Sequence, residues 1–354
     1  MQRIKNGSRR GEMYMKKLLN TIYILTPGSY IHVRNQNIVV EMDEEEKISV
    51  PAHNIEAIVC FGQNTVSTPL IGFCGEKGIS LVFLSENGKF LGRICGPVSG
   101  NVLLRKKQYE SLNDIEFSAR TVRNILYGKI RNAKAVLMRN ARNKDSDEKR
   151  SALVAAADKL SDIAKKLQNV NDIDSMRGLE GAAATIYFAQ FDNMLDSKEF
   201  VFDVRSRRPP KNEVNAALSF VYMLLTRETQ SALETVGLDP AAGYLHVLRP
   251  GRPSFALDLV EELRAPLCDR FVLSLFHKGQ LQTKDFETDS EAVYLNDKGR
   301  RTVLNAWQKR KKETIRHPFL DENIEIGMLP YAQAMLFARV LRGDLDEYPP
   351  YSWR

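Results

Sequence analysis

The sequence predicts an α+β protein with a small β-rich N-terminal domain followed by an all-α C-terminal domain. Two observations predict this class. Short apolar or alternating runs, separated by turn residues, fill the chain up to about residue 100, which is typical of strands. Beyond Gly100, apolar residues recur at helical spacing almost to the end of the chain. We therefore expect a strand-built domain over 15–100 and a helical domain over 101–354.

Seven strands are predicted in the N-terminal domain, at 20–25, 30–33, 37–41, 47–50, 55–60, 79–84 and 90–94. Turn residues such as Pro27, Gly28 and Gly88 separate them, and one helix is predicted at 68–77. Residues 1–14 are polar and basic and precede a more natural start at Met15. They are expected to be a leader or upstream extension, disordered and outside the fold.

Eight helices are predicted in the rest of the chain. They span 118–142, 149–167, 175–191, 213–227, 255–263, 269–276, 297–315 and 327–342, and Gly279 is a natural stop for the sixth. Among the connecting loops, residues 205–211 form a stiff segment that is both basic and proline-containing. We expect no strand in this part of the chain.

The composition excludes a disordered chain and a membrane-spanning one. Hydrophobic residues make up 43% of the 354, and no apolar run approaches the length that crosses a bilayer. There is no secretory signal, so a cytoplasmic location is expected. Four cysteines show neither CxxC pairing nor metal-ligand spacing, and we expect them to be reduced thiols in the core: Cys60, Cys74, Cys95 and Cys268.

Positive charge is concentrated in one segment. The net charge is +7, and residues 101–150 carry thirteen Lys and Arg against six Asp and Glu, whereas residues 15–100 carry seven against eight. On the predicted helix at 118–142, five cationic side chains fall within an arc of about 100°: Arg120, Arg123, Arg131, Lys134 and Arg142. This stripe is either an ordinary solvated face or a surface for a nucleic-acid backbone. Lys129 lies on the apolar side and would have to snorkel.

The stretch 243–264 is the most informative part of the sequence. His246 precedes a turn rich in Gly and Pro, and Ser254 is a plausible N-cap for the helix that follows. Three carboxylates lie on that helix: Asp258, Glu261 and Glu262. Because residues three and four apart share a helix face, we expect all three to point the same way. Such a cluster requires a metal ion, basic partners or solvent.

Glu180 is a second candidate, since Gly178 and Gly181 flank it within a predicted helix. Within a helix, each glycine lowers stability by about 1 kcal/mol relative to Ala. Glu180 shares its helix face with Ala183, Ala184 and Tyr187, and these mostly small residues suit close packing. A packed carboxylate requires a partner. The alternative is a Glu that the helix dipole favours near an N-terminus.

Taken together, the three segments indicate a metal site. His246 alone is more simply a hydrogen-bonded core residue, but one His with two or three carboxylates makes a mixed N and O ligand set. Oxygen-rich sites suit Mg²⁺ or Mn²⁺, and one imidazole favours Mn²⁺. Zn²⁺ is the rival ion, although no HExxH motif or second nearby His supports it. Arg249 and Arg252 lie in the turn between His246 and Asp258, where arginines can bind phosphate as fork donors.

Four motifs occur in order: the helix with Glu180, residues 208–216 (RPPKNEVNA), 237–240 (GLDP) and 246–264. In these motifs the chain resembles the CRISPR-associated spacer-acquisition integrases, the metal-dependent DNA endonucleases numbered first in the Cas series. The resemblance covers the chain from Met15 onward. The ending YPPYSWR is similar to the branch associated with type I-C systems.

The resemblance implies the roles of the candidate residues. Glu180, His246 and Glu261 match the family's metal ligands, and Asp258 matches a further acidic residue near the site. These four are the expected catalytic set, while Glu262 is expected to be only a solvated neighbour. Asn215 and Tyr222 match positions close to the site. With the basic residues above, the expected DNA contacts are Arg120, Arg123, Arg131, Arg207, Arg208, Lys211, Asn215, Tyr222 and Arg252.

The resemblance also implies an activity and partners. The 3′-hydroxyl of a double-stranded prespacer would attack a phosphodiester at a CRISPR repeat boundary, with Mg²⁺ or Mn²⁺ polarising the phosphate. The protein would form a homodimer through its β-rich domain and bind a small ferredoxin-like dimeric partner, the second protein of the Cas series. The alternatives are a non-catalytic nucleic-acid-binding scaffold and a zinc hydrolase acting on a small substrate.

Overall fold

The computed structural model describes residues 21–42, 45–55, 57–85, 90–94, 96 and 102–353. Residues 1–14 and Cys95 therefore lie outside the described residues, and the expectations for them are not tested. Within the described residues, the other three cysteines are free and buried, as predicted. None of the helices described is long and apolar enough to span a bilayer.

The N-terminal part forms two four-stranded sheets. One sheet has the strand order β4-β3-β2-β6 and the other β1-β5-β7-β8. The strands are β1 Thr21–Ile24, β2 Tyr30–Arg34, β3 Asn37–Met42, β4 Glu45–Pro51, β5 Ala57–Phe61, β6 Thr65–Val66, β7 Ser80–Leu84 and β8 Phe90–Ile94, with helix α1 Thr68–Lys77 between β6 and β7. All seven predicted strands and the predicted helix are confirmed. β6 was not predicted, because two residues are too few to show a pattern.

The sheet containing β5 is covered on both of its faces. Side chains alternate along a strand, so Ile58 and Cys60 of β5 pack into a core with the other sheet, whereas Val59 and Phe61 pack into the helical core. The Phe61 ring lies 6.1 Å from the ring of Phe220. The predicted order, with a strand-rich part before about residue 100 and mostly helices after it, is therefore confirmed. One face of this sheet, however, packs into the same core as the helices.

Ten helices follow in the described residues. They are α2 Val102–Ser111, α3 Ile115–Arg142, α4 Asp147–Leu167, α5 Ile173–Phe188, α6 Phe191–Leu195, α7 Glu213–Val236, α8 Ser254–Leu263, α9 Arg270–His277, α10 Asp297–Lys311 and α11 Leu329–Arg342. A π-helical turn, Arg264–Asp269, joins α8 to α9. All eight predicted helices are present, whereas α2 and α6 were missed. α2 buries only Leu104 and Gln108, which is too few apolar positions to show a helical stripe.

The prediction that the C-terminal part is all-α is wrong. Two short antiparallel hairpins lie within it, β9 Phe286–Asp289 with β10 Ala292–Leu295 and β11 Thr314–Arg316 with β12 Asn323–Glu325. Ile315, predicted to end a helix, lies in β11, because α10 stops at Lys311. Strands of three or four residues are too short to show an alternating pattern in the sequence.

Helix α8 also begins differently from the prediction. Ser254 is its first residue and Pro253 its cap, and no side chain caps the helix. The Ser254 hydroxyl instead donates to the carbonyl oxygen of Val247, at 3.2 Å. It therefore holds the loop that leads into the helix.

The expectation that Glu262 is solvated is wrong, as is the expectation that the three carboxylates of α8 point the same way. Glu262 is fully buried and accepts hydrogen bonds from Gln333 at 2.7 Å, the Tyr348 hydroxyl at 2.6 Å and the Tyr351 backbone N–H at 3.0 Å. Burial raises the pKa of this carboxyl to about 8 against these hydrogen bonds, which lower it. Glu262 thus fastens the C-terminal segment to α8.

Gly128 on α3 makes this packing possible. A Cβ atom at Gly128 would lie 2.7 Å from Pro350 Cβ and 3.1 Å from Glu262 Oε2. Asn132, one turn further along α3, donates to the carbonyl oxygens of Glu262 and Tyr351 at 2.7 Å and 2.8 Å. The close approach fixes α3 against α8 and against the C-terminal segment together.

We predict that Gly128→Ala destabilises the protein, because overpacking at a close contact costs roughly 1–3 kcal/mol. Gly178→Ala is the matched control, since Gly178 is also helical and a Cβ there has nothing within 4 Å. That control should gain up to about 1 kcal/mol from helix propensity. Chemical denaturation of both variants measures the two free energies of unfolding, and a stabilising Gly128→Ala would contradict the packing described.

Candidate active site

Three helices and one loop bring the candidate residues together. α3 packs against both α5 and α8, so Lys129 of α3, Glu180 of α5 and Glu261 of α8 face one another. The loop before α8 carries His246, whose Nε2 lies 3.8 Å from Glu261 Oε1. The structure therefore places Glu180 and His246 near Glu261, and Glu180 does so through the ammonium of Lys129, a lysine that was not predicted.

Asp258 holds the His246 loop from inside. Its carboxylate is fully buried and accepts three consecutive backbone N–H groups, from Tyr244 at 2.6 Å, Leu245 at 3.0 Å and His246 at 2.9 Å. The same carboxylate lies 2.6 Å from His246 Nδ1. In the neutral imidazole, a proton on Nδ1 leaves the lone pair on Nε2, which is the usual arrangement of a metal-binding His. Asp258 therefore positions His246.

Two further residues fix this loop. A Cβ at Gly243 would lie 2.6 Å from the Ser254 carbonyl carbon and 2.8 Å from Asp258 Oδ2, so only glycine fits there. From α5, the Arg177 guanidinium donates two hydrogen bonds to the Leu245 carbonyl oxygen, at 2.9 Å and 2.6 Å. Arg177 thus ties the helix that carries Glu180 to the loop that carries His246.

Glu261 is a buried carboxylate surrounded by positive charge. Its side chain is only 4% exposed, and Arg264 Nη1 lies 2.6 Å from its Oε1. Burial alone would raise the pKa of Glu261, but the charges of Arg264, Lys129 and His246 together lower it to about 2. Glu261 is therefore ionised at neutral pH and is available to hold a cation.

Lys129 was expected to snorkel from the apolar side of α3, and this expectation is wrong. Its ammonium makes ion pairs with Glu180 and, at 2.6 Å, with Glu261 Oε2. The side chain is 16% exposed, against 27% for Glu180. The sequence did contain a signal for this role, because Lys129 is a lone cation on the apolar face of α3.

The donor set fits a hard divalent cation. Among the described residues, buried Glu261 Oε2 has no hydrogen-bond partner other than Lys129 Nζ, which lies 2.6 Å from it. The His246 ring presents Nε2 toward the same carboxylate. Two carboxylates with one imidazole suit Mg²⁺ or Mn²⁺. In the part of the chain described, however, no three His, Cys, Asp or Glu side chains are close enough to form a ready-made ligand cluster.

The helix around Glu180 is open. Gly178 and Gly181 are exposed, and a Cβ atom at either has nothing within 4 Å. The predicted close packing is confirmed on the face that Glu180 shares with Ala183 and Tyr187, which are both buried, whereas Ala184 is half-buried. The two glycines, by contrast, leave the backbone beside Glu180 accessible from outside.

Tyr222 lies behind the site in a network that centres on Asp269. The hydroxyl groups of Tyr222 and Tyr187 donate to the two oxygens of this buried carboxylate, at 2.5 Å and 2.9 Å. The guanidinium groups of Arg264 and Arg205 lie 5.1 Å and 5.3 Å from the centre of the Tyr222 ring. Through Arg264, the network reaches Glu261.

Two predicted DNA contacts instead hold the structure together. Asn215 is fully buried, and its amide oxygen accepts from Arg205 at 2.8 Å and from the Ser206 N–H at 3.1 Å, so it anchors the loop at 205–211. This burial contradicts its expected role as a DNA contact. Arg123 donates to the Val170 carbonyl oxygen at 3.0 Å and also to Asn171, which connects α3 to the loop before α5.

The remaining basic candidates are accessible. Arg252 is half-buried, and the exposed ones are Arg120, Arg131, Arg207, Arg208 and Lys211. Arg131 lies over the ring of Tyr127, 5.7 Å from its centre. Within the residues the structure describes, none of these side chains pairs with a carboxylate, so their charge is available to an anionic partner.

The profile of the family described as CRISPR associated protein Cas1 matches residues 22–309. The chain is therefore a CRISPR-associated protein. The chain is 45% identical over 343 residues to CRISPR-associated endonuclease Cas1 1 of Chlorobaculum tepidum, covering 96% of this chain and 100% of the relative. It is 47% identical over 347 residues to CRISPR-associated endonuclease Cas1 2 of Rhodospirillum rubrum, with the same coverage of 96% and 100%. The chain belongs to the Cas1 family.

Solved structures show the same fold. A Cas1 protein from Thermotoga maritima superposes with a TM-score of 0.80 at 24% identity, covering 92% of this chain and 97% of that one. A casposase bound to an integration product superposes with a TM-score of 0.78 at 21% identity, covering 95% of each chain. The strands-then-helices order of the chain is thus that of a known fold.

Asp269 gives a testable pH dependence. Burial raises the pKa of this carboxyl to about 6, from an ordinary value of 3.8, despite the hydrogen bonds from Tyr222 and Tyr187. The folded protein binds the Asp269 proton more tightly than the unfolded chain does. The free energy of unfolding should therefore fall as the pH rises between about pH 4 and pH 6. At 1.36 kcal/mol per pKa unit the loss is roughly 3 kcal/mol.

We therefore predict that Asp269→Asn makes this decline shallower between about pH 4 and pH 6, whichever way it moves the overall stability, and that Glu262, whose pKa burial also raises, contributes the decline that remains. Denaturant titrations of the native protein and the variant, in steps of pH across the window, measure it. Asp158→Asn, at an exposed position of α4, should keep the native profile. An unchanged slope in Asp269→Asn would assign the pH dependence to other groups.

Proposed function

We propose that this protein is a metal-dependent DNA endonuclease and integrase that inserts prespacer DNA into a CRISPR array. The observation that supports it most is the placement of Glu180 and His246 beside Glu261 in a chain of the Cas1 family. The relatives cited above are named endonucleases, and one structural neighbour is a casposase bound to an integration product. The proposed reaction is a phosphoryl transfer. The prespacer 3′-oxygen bonds to a phosphorus of the repeat strand, and the displaced oxygen leaves as a new 3′-hydroxyl.

Each residue of the site has a role in this proposal. Glu180, His246 and Glu261 would hold Mg²⁺ or Mn²⁺, which stabilises negative charge on a phosphoryl group and activates an attacking hydroxyl. Asp258 holds the loop that carries His246 and orients the imidazole. Arg177 ties that loop to α5. Arg264 fixes Oε1 of Glu261 through its ion pair. The protein thus contributes position and charge, which are the main factors in phosphoryl transfer.

The accessible cations would bind the DNA backbone. Arg207, Arg208 and Lys211 belong to a loop that Asn215 holds from within, and Arg252 lies on the loop that follows His246. Such contacts position DNA without reading its sequence. The exposed backbone at Gly178 and Gly181 would let a phosphate strand approach Glu180 closely.

The partners are also proposals. We propose a homodimer formed through the β-rich part, a small ferredoxin-like second Cas protein as partner, and a type I-C system as the setting. Structural neighbours support a partnership of this kind, since one is a Cas6-RT-Cas1–Cas2 complex with a TM-score of 0.81 at 20% identity, covering 97% of this chain and 37% of that one.

A DNA-binding scaffold without catalysis is the alternative, supported by the Lys129 ammonium, which already makes ion pairs with both ligand carboxylates. It predicts salt-sensitive duplex binding and no metal-dependent product. A zinc hydrolase has less support, because His277 and His317 bond to Met194, Leu195 and Gln333 rather than facing the site.

We predict that Glu180→Gln, His246→Ala and Glu261→Gln each reduce strand transfer to background. The assay follows joining of a labelled duplex to a repeat-bearing plasmid with Mn²⁺ or Mg²⁺, with and without the small partner. Asp258→Asn should reduce activity about 10- to 100-fold, the usual effect of losing a partner that orients a ligand.

Glu148→Gln, at an exposed position on α4, is the matched control and should retain full activity. Undiminished strand transfer in the three ligand variants would reject the site. A product that forms with metal and disappears on chelation would reject the scaffold alternative.

We predict that Arg207→Ala and Arg208→Ala weaken duplex binding in a salt-dependent manner. Each lost phosphate contact should reduce the slope of log affinity against log salt concentration by about 1. Fluorescence anisotropy over a range of salt concentrations measures the slope. Arg301→Ala removes an exposed arginine of α10 and serves as the control. Equal slopes in all the variants would show that the loop does not contact the phosphates.

A further inference from the structure

Lys129 connects the two carboxylates proposed as metal ligands. Its ammonium makes an ion pair with Glu180 on α5 and, at 2.6 Å, with Glu261 Oε2 on α8. The lysine itself is on α3, so three separate helices meet at this one ammonium. No expectation from the sequence assigned it a role in the site.

The position of the α3 backbone at Lys129 is fixed on both sides. Gly128 packs against Pro350 and Glu262, and the Asn132 side chain bonds to the backbone of Glu262 and of Tyr351. The backbone therefore cannot shift to follow its side chain. The flexible four-carbon stem of Lys129 can move instead, since lysine carries a compact charge on a mobile chain.

The contacts of Glu261 differ between its two oxygens. Oε1 lies 2.6 Å from the Arg264 guanidinium, which approaches from the same helix face. Oε2 lies 2.6 Å from Lys129 Nζ and has no other hydrogen-bond partner in the described part of the chain. The Lys129 ammonium is therefore the one group that stabilises this oxygen there, and a bound divalent ion could supply the positive charge in its place.

A divalent ion bound by Glu180 and Glu261 would require the same oxygens. Hard cations approach carboxylate oxygens to about 2.0–2.2 Å, so the ion would have to lie where the Lys129 ammonium lies. Two like charges in one partly buried position repel each other strongly, because a low effective dielectric screens them little. The ammonium and the ion are therefore mutually exclusive between these carboxylates.

We propose that Lys129 is a built-in competitor of the divalent ion, which must displace its ammonium from between Glu180 and Glu261. The proposal rests on the proposed function only in that these carboxylates hold the ion. Lys129 then acts as a positioning residue. It pairs with both carboxylates, links α5 to α8, and lowers the affinity for the ion.

The test compares Mn²⁺ binding to Lys129→Met and to the native full-length protein by isothermal titration calorimetry. Methionine keeps an unbranched apolar stem of similar length and removes the charge. We expect Mn²⁺ to bind the variant at least about tenfold more tightly, a factor that corresponds to 1.4 kcal/mol. With a chelator present, the variant should also unfold at a lower temperature than the native protein, and saturating Mn²⁺ should raise that temperature more in the variant.

Lys134→Met is the matched control, because it removes a lysine of the same helix outside this site and should leave Mn²⁺ affinity unchanged. Equal or weaker Mn²⁺ binding by Lys129→Met would overturn the proposal, and so would the absence of Mn²⁺ binding in every variant. Should Lys129→Met fail to fold, Lys129→Gln provides the same comparison with a neutral polar side chain.

The readout separates this inference from the proposed function. Tighter Mn²⁺ binding by Lys129→Met, together with no strand transfer by the native protein, would support the competition and reject the integrase. Strand transfer that depends on Glu180 and Glu261, with Mn²⁺ affinity unchanged in Lys129→Met, would retain the integrase and reject the competition.

Discussion

Three carboxylates are buried on the ten residues of α8, and the rest of the site depends on how each is stabilised. Asp258 is satisfied by backbone N–H groups, Glu261 by cations, and Glu262 by neutral donors from α11 and the C-terminal segment. Because an unpartnered buried charge costs several kcal/mol, each carboxylate fixes the segment that supplies its partners. One helix thereby fixes the His246 loop, α3 and the C-terminal segment at once.

Much of the fold could be predicted from the sequence, but the surroundings of Glu262 and Lys129 could not. Apolar periodicity located the long helices and the strands of the two sheets, and the joint occurrence of Glu180, His246 and Glu261 selected the site. Periodicity could not separate Glu262 from Glu261, because adjacent helix positions differ by about 100° and burial of the second face depends on residues almost ninety positions away. Lys129 was classed as an anomaly of α3 for the same reason, since its partners lie on two other helices.

The DNA contacts show a different limit. Charge and loop composition can indicate a basic surface, but not which member of a loop faces inward. Asn215 lies beside a basic loop and Arg123 lies on a basic helix, yet the side chains of both form hydrogen bonds within the protein itself. The guanidinium groups of Arg207 and Arg252, by contrast, make no hydrogen bond to another residue of the described chain.

The attachment of the C-terminal segment to α8 has a consequence for synthesis. Tyr348 and Tyr351, which donate hydrogen bonds to Glu262, are synthesised about two hundred residues after α3. Until they arrive, the buried carboxylate of Glu262 lacks two of its three donors, and α8 and α3 lack the segment that fastens them together. A nascent chain that has not reached these tyrosines therefore cannot fix α8, and with it Glu261, firmly against α3.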